Sequence, residues 1–333
     1  MAKEWWRRDE FRRREANLAA RSRILAAIRG FFARDGFVEV ETPALQISPG
    51  MEPHLMAFST ELKEPGEGSR PFHLHTSPEF AMKKLLAAGL PKIFQLARVF
   101  RNGERSRTHH PEFTMLEWYR AGADYRTLMD DCEVLLRACV PRYSWNGREC
   151  DPAQPFERLS VAEAFVRHAG IDILAATSLE TLAAAARPLG IAPHAGDEWD
   201  DLFFRIFLER IEPHLGIGAP TILYDYPIAM AALARAKPGD TRLAERFELY
   251  VCGLELANAF SELTDPAAQR ARFVADQEKK RRLYGTTYPI DEDFLAALAH
   301  MPESAGIALG VDRLVMLATG ATSIEEVLWA PVA

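Results

Sequence analysis

The stretch FRNGERSRTHHPEFTMLEWYR, Phe100 to Arg120, decides how this chain is read. It holds four arginines, two adjacent histidines and an aromatic-rich run interrupted by Glu112 and Glu117. A plain core does not tolerate that mixture, because a buried charge costs several kcal/mol unless it is paired. The preceding IFQLARVFRN and the segment EFTMLEWYR both read as strands, and Gly103 to Pro111 between them is polar, so the spacing predicts a hairpin with a long charged tip. Side chains alternate on a strand. Phe113, Met115, Glu117 and Tyr119 therefore share one face, and Glu112, Thr114, Leu116 and Trp118 share the other. The first face can stack a flat base on Phe113 and hold an ammonium at Glu117 and Tyr119, while Arg101, if the register agrees, can clamp a phosphate. The same spacing also suits a core strand in which Arg101 simply neutralises Glu117.

Outward from the hairpin, SPEFAMKKLLAAGL reads as a helix opened by Ser77 with Pro78 in its first turn and closed by Gly89. Upstream, ANLAARSRILAAIRGFFARDGF has helical spacing up to Gly36, and FVEVETPAL alternates like a strand until Pro43. From Thr127 to about Leu215 the chain reads as mostly helical, with a capping box at Ser160 and Glu163, and as an insertion between halves of a sheet. TILYDYP and RFELYVCGLELANAF return to strand, DPAAQRARFVADQEKKRRL to helix, and GIALGVDRLVMLATG runs strand, tight turn, helix. Strands separated by a helical block predict an α+β fold rather than alternating βαβ units.

The 333 residues, 48% of them hydrophobic, suffice for one large domain. The net charge of −7 argues against a chain whose main task is to grip nucleic acid. Residues 1–30 nevertheless carry nine Lys and Arg, from Lys3 to Arg29, against four acids. That excess reads either as a docking surface for an acidic partner or as a solvated helix face. Cys132, Cys139, Cys150 and Cys252 form no C-x-x-C pair, which speaks against a zinc or redox site and suits a reducing cytoplasm. No apolar run is long enough for a signal peptide or a membrane span.

VFRNGERSRTHHPEFTMLEWY resembles motif 2 of the class II aminoacyl-tRNA synthetases in their lysyl form, GFVEVETPAL resembles motif 1, and GIALGVDRLVML resembles motif 3. SPEFAMKKLL and GLELANAFSELTD resemble two further lysyl-type segments. The resemblance implies an antiparallel sheet flanked by helices, a homodimer formed through motif 1, and a reaction in which an amino-acid carboxylate attacks the α-phosphate of ATP. It implies phosphate contacts from Arg101 and Arg313, adenine stacking on Phe113, and ATP contacts from Asn102, Glu104, His109, His110, Leu256 and Gly310. It places Mg²⁺ on Glu255 and Glu262, and the amino acid on Ser77, Pro78, Glu79, Glu117, Tyr119, Asn258, Glu262 and Ala308. One departure stands out: Gly103 occupies the position where the family carries the glutamate that meets the adenine amino group, and Glu104 follows it.

The motif 1 helix begins by about residue 19, which leaves no room for the OB-fold anticodon domain of a lysyl-tRNA synthetase, so a single catalytic domain over 1–333 with no tRNA partner is expected. Such a core resembles the ligases that attach (R)-β-lysine to a lysine ε-amine of elongation factor P. Ala308, where the synthetases carry glycine, and Trp118 point the same way. The alternatives are a minimal lysyl ligase acting on RNA, a catalytically silent regulatory paralogue, and an adenylating enzyme that makes a small amide.

Overall fold

A computed structural model describes residues 4–66 and 68–332; Lys3 of the basic N-terminal run lies outside them. The chain opens with α1 (Arg8–Arg34), followed by β1 (Val38–Glu39) and the strands β2 (Leu45–Gln46), β3 (Ser59–Glu64) and β4 (Gly68–Leu74) of a small three-stranded sheet. Next come α2 (Glu79–Ala87), the hairpin β5 (Lys92–Phe100) and β6 (Glu112–Ala121), and α3 (Tyr125–Cys139). A small hairpin, β7 (Tyr143–Trp145) and β8 (Arg148–Cys150), precedes β9 (Glu157–Ser160) and the helices α4 (Val161–Ala169), α5 (Leu179–Ala186) and α6 (Trp199–Ile206). The chain ends with β10 (Thr221–Pro227), β11 (Leu243–Val251), β12 (Leu254–Ser261), α7 (Pro266–Tyr284), α8 (Glu292–Leu298), β13 (Ser304–Gly310) and α9 (Val311–Thr319).

Eight of these strands form one sheet in the order β1-β5-β6-β13-β12-β11-β10-β9. Its six inner strands are antiparallel, and only the short edge strands β1 and β9 pair in parallel. The α+β expectation holds. Leu116 and Trp118 of β6 turn toward α1, α3 and α9, where they join a large apolar core with Ile28, Phe32, Leu135 and Leu314. Met115, Glu117 and Tyr119 turn to the opposite face, as period-two alternation requires. On that face α2, α7 and α8 pack around Phe80, Phe273 and Phe294 and wall one end of a cavity.

Three expectations need correction. The segment 127–215 is mostly helical as expected but is not a clean insertion: α3 packs on the main core, and β9 extends the central sheet before the α4–α6 cluster begins. The motif 1 strand is shortened to two exposed residues: the Val40 amide still donates to the Phe94 carbonyl at 2.9 Å, and the ladder ends before Pro43 is reached. The basic N-terminal run is not all solvated. Arg14 and Arg21 are buried in α1, where Arg14 donates to the Leu328 carbonyl at 2.6 Å and Arg21 pairs with Asp312 of α9. Elsewhere the local signals were sound: the Ser160–Glu163 capping box opens α4, and Gly170 closes it in the left-handed conformation.

Candidate active site

A cavity of about 490 Å³ lies on the sheet face opposite α1, α3 and α9. Its floor is formed by β6, β13 and β12, where Ala308 stands in register between Glu117 and Asn258. The hairpin register brings Arg101 beside Phe113: the Arg101 amide donates to the Pro111 carbonyl at 2.9 Å, and its guanidinium sits 5.3 Å from the Phe113 ring centroid. Arg101 Nε is buried without a hydrogen-bond partner. Arg313, in the first turn of α9, points back into the same end. Its Nη1 donates to the Glu255 carbonyl at 2.7 Å and its Nη2 to His109 Nε2 at 2.6 Å. His109 Nδ1 meets Ser106 Oγ at 2.8 Å, so the ring is fixed from both sides. Burial and the neighbouring Arg313 push the His109 pKa down, which keeps the ring neutral and able to accept. Neither Arg101 nor Arg313 has a carboxylate side chain within ion-pair distance among the described residues.

The other end is acidic. Glu117 is 1% exposed, takes a hydrogen bond from Ser77 Oγ at 2.5 Å and one from the Tyr119 hydroxyl at 2.8 Å, and has no cation bonded to it. Burial and the nearby Glu79 push its pKa up to about 8. Glu79 and Glu262 share a single buried cation, Lys83, whose ammonium pairs with both. Burial alone would lower the Lys83 pKa; the two carboxylates outweigh it and raise it. Glu262 Oε1 is buried with no hydrogen-bond partner. Gly306 lies between these groups, and a Cβ there would overlap both the Tyr119 ring and Glu262 Oε1.

A model of the family described as tRNA synthetases class II (D, K and N) matches residues 5–332. The chain belongs to the class II tRNA synthetase family. It is 45% identical over 316 residues to a protein of Sodalis glossinidius named elongation factor P–(R)-β-lysine ligase, with 94% of each chain covered. Proteins of the same name from Vibrio cholerae (45% over 321 residues, 95% of each chain) and Salmonella typhi (44% over 315 residues, 94% of each chain) are similarly close.

Within this class II site, the residues singled out from sequence divide. Ser77, Glu79, Arg101, Glu104, His109, Phe113, Glu117, Tyr119, Asn258, Ala308, Gly310 and Arg313 line the one cavity, as do Glu255 and Leu256. Asn102 and Gly103 are exposed and outside its lining, and it is Glu104 that turns in. Pro78 caps α2 and does not reach the cavity. His110 borders it, but both ring nitrogens are engaged, Nδ1 with the Glu112 carbonyl at 2.7 Å and Nε2 with the Val332 amide at 3.2 Å, so it fastens the C-terminal segment to the hairpin.

The Glu255–Glu262 pair is not brought together. A bulge at Leu256 shifts the β12 register, pairing Glu255 with Tyr250 but Ala257 with Leu249, so Glu255 joins the face of Asn258 and Phe260. Glu255 lines the cavity, whereas Glu262 lies roughly 20 Å further along the strand, buried behind the lining against Lys83, and so reaches neither the metal nor the substrate space directly. The carboxylate beside Glu255 is Glu248 of β11, which sequence reading missed. Burial and then Glu248 push the Glu255 pKa up to about 7. Glu248 also accepts from the Tyr226 and Tyr250 hydroxyls, each at 2.6 Å, and from Arg246. Glu255 lines the arginine end, whereas Glu248 stands behind it outside the cavity lining with both oxygens engaged, so Glu255 is the carboxylate placed to meet a hard divalent cation completed by phosphate oxygens. The sequence signal was faint: Arg246 and Glu248 break the apolar reading of RFELYV at alternate positions.

Proposed function

We propose that this chain activates (R)-β-lysine with ATP as an aminoacyl adenylate and transfers the aminoacyl group to a lysine ε-amine of elongation factor P. The observation that carries this reading is that, among the described residues, one cavity has guanidinium groups without acidic partners at one end and a carboxyl group without a cation at the other. Arg101 and Arg313 have no acidic side-chain partner at one end, and Glu117 has no bonded cation at the other. A triphosphate suits the first end and the amine tail of a diamino acid the second. The acceptor comes from the names of the relatives, which cover this chain almost end to end.

In the first half-reaction a carboxylate oxygen of the amino acid attacks the α-phosphorus and pyrophosphate leaves. Arg101, stacked on Phe113, stands where negative charge builds, and Arg313, oriented by neutral His109, holds the departing phosphates. Glu104 rather than Gly103 meets the adenine edge. Glu255, backed by Glu248, would hold Mg²⁺, which would supply charge neutralisation along the triphosphate. In the second half-reaction the acceptor amine attacks the acyl carbonyl, an amide bond forms, AMP leaves, and the ammonium proton passes to solvent. The Ala308 methyl, between Glu117 and Asn258, narrows the slot where an α-amino group would lie and so favours the β-amino acid.

The protein works in the cytoplasm as a homodimer, with no tRNA partner. No described helix is long and apolar enough to cross a membrane. Val38, Leu45 and Ile47, exposed around the motif 1 proline, supply the apolar side of the dimer contact.

Incubation of elongation factor P with the enzyme, Mg-ATP and (R)-β-lysine is expected to add one β-lysyl mass to the factor, read by mass spectrometry, with α-lysine a poor substitute. Ala308→Gly is expected to shift the preference toward α-lysine by about 10-fold. Transfer to tRNA instead would select an RNA-directed ligase, and absence of any lysine- or β-lysine-dependent ATP–pyrophosphate exchange would select a silent paralogue.

A further inference from the structure

Charge counting in the acidic end leaves one carboxylate without a role. Lys83 is shared by Glu79 and Glu262, and Glu117 faces the cavity with only hydroxyl donors. A fourth acid, Glu52, lines the same cavity from a loop before β3 and has no ion-pair partner among the described residues. Nothing in the segments that carry the family resemblance includes this loop.

The loop is built to hold Glu52 in place. Lys280 of α7, itself buried, directs its ammonium at three of the loop's carbonyls, those of Glu52 at 3.5 Å, Pro53 at 3.0 Å and Leu55 at 2.5 Å. That ammonium is taken up by backbone and leaves the Glu52 carboxylate free. The Tyr288 hydroxyl accepts from the Ala57 amide at 2.8 Å, and the Tyr284 hydroxyl meets His54 Nδ1 at 2.9 Å. Gly50 folds the chain back: a Cβ there would lie 2.9 Å from Glu52 Oε2 and 2.6 Å from Thr76 Oγ1, so only glycine brings this carboxylate beside the strand end that leads to Ser77 and Glu79. A loop clasped at this many points to a neighbouring helix is not a solvated turn that happens to carry an acid.

We infer that Glu52 is a specificity-determining residue for the amino-acid substrate: it receives the second ammonium, the one nearer the reacting carboxylate, while Glu117 and Tyr119 receive the amine at the far end. Two carboxylates without a cation of their own, one deep on β6 and one on the clasped loop, match a ligand that carries two ammonium groups. Lys280 acts on this through Glu52 and is a positioning residue. The inference rests on the proposed function and refines it, because it makes the number of amino groups on the ligand the quantity that the site reads.

The test compares binding of (R)-β-lysine and α-lysine, which carry two ammonium groups, with 6-aminohexanoate, which keeps only the distal one. Titration calorimetry is run on the wild type, Glu52→Gln and Glu52→Asp, with ATP–pyrophosphate exchange measured alongside. Wild type is expected to favour the better diamino acid over 6-aminohexanoate. Glu52→Gln is expected to weaken diamino-acid binding by about 10- to 100-fold while leaving 6-aminohexanoate and the KM for ATP unchanged, with partial recovery in Glu52→Asp. Lys280→Met is expected to act in the same direction with a smaller effect. An unchanged ratio in Glu52→Gln overturns the inference while wild-type exchange keeps the proposed function standing. Absence of exchange in the wild type overturns both.

Discussion

At the scale of single residues, the site depends on what is left out as much as on what is present. Gly306 carries no side chain where Tyr119 and Glu262 close over β13, and a methyl there has no space to occupy. Gly306→Ala is therefore expected to fold with a loss of about 1–3 kcal/mol. The larger effect is expected on the amino acid, with its KM in the exchange reaction raised at least about 10-fold and the KM for ATP little altered. Equal loss for both substrates would show that Gly306 matters only to packing. The face carrying Phe113, Met115, Glu117 and Tyr119 was legible in sequence because alternation on a strand is a strict geometric rule. The partnership of Lys83 with Glu79 was half legible, since i and i+4 share a helix face. Its second bond, to Glu262, was not legible, because it joins elements 179 positions apart in the chain.

At the scale of elements, the same contrast separates what local rules supply from what register supplies. The hairpin β5–β6 follows from two patterned runs and a polar tip. The Glu248–Glu255 pair depends on how β11 lies against β12 and on one extra residue at Leu256, which no spacing rule reveals. Burial inverted the reading of α1. Arg21 looks like one more surface cation, yet it pairs with Asp312 and also donates to Thr114 Oγ1 at 2.8 Å, tying α1 to α9 and β6. Asp312 in turn accepts from the Thr114 amide at 2.6 Å. Removing one member of such a pair leaves an uncompensated buried charge, so Arg21→Met is expected to cost about 3–5 kcal/mol. The check is urea denaturation followed by circular dichroism. Arg12→Met, one turn from Arg8 on the exposed side of the same helix, is expected to change stability by less than about 0.5 kcal/mol. Equal effects for the two would mean that the α1–α9 contact is not the anchor of this helix.

At the scale of the whole molecule, the acidic end of the cavity couples stability to pH and to ligand. Glu117 carries a pKa pushed up to about 8 by burial and by Glu79, against the ordinary glutamate value of 4.5 in the unfolded chain. Between those two values the folded state keeps a proton that the unfolded state has released. Stability must therefore fall as pH rises from about 4.5 to 8, by at most about 1.4 kcal/mol per pH unit from this one group. Most globular proteins show no such decline over this range, so urea midpoints at pH 5.5 and 8 should differ in an unusual direction, and Glu117→Gln should flatten the curve. Ligand reverses the effect. An ammonium seated at Glu117 favours its ionised form, so binding the diamino acid expels the proton, and affinity is expected to rise with pH up to about 8. Calorimetry of the amino acid at pH 7, in two buffers of different ionisation enthalpy, is expected to show net proton release that Glu117→Gln removes. If that release is absent in the wild type, Glu117 is already ionised in the free enzyme and the coupling between stability and ligand is lost with it.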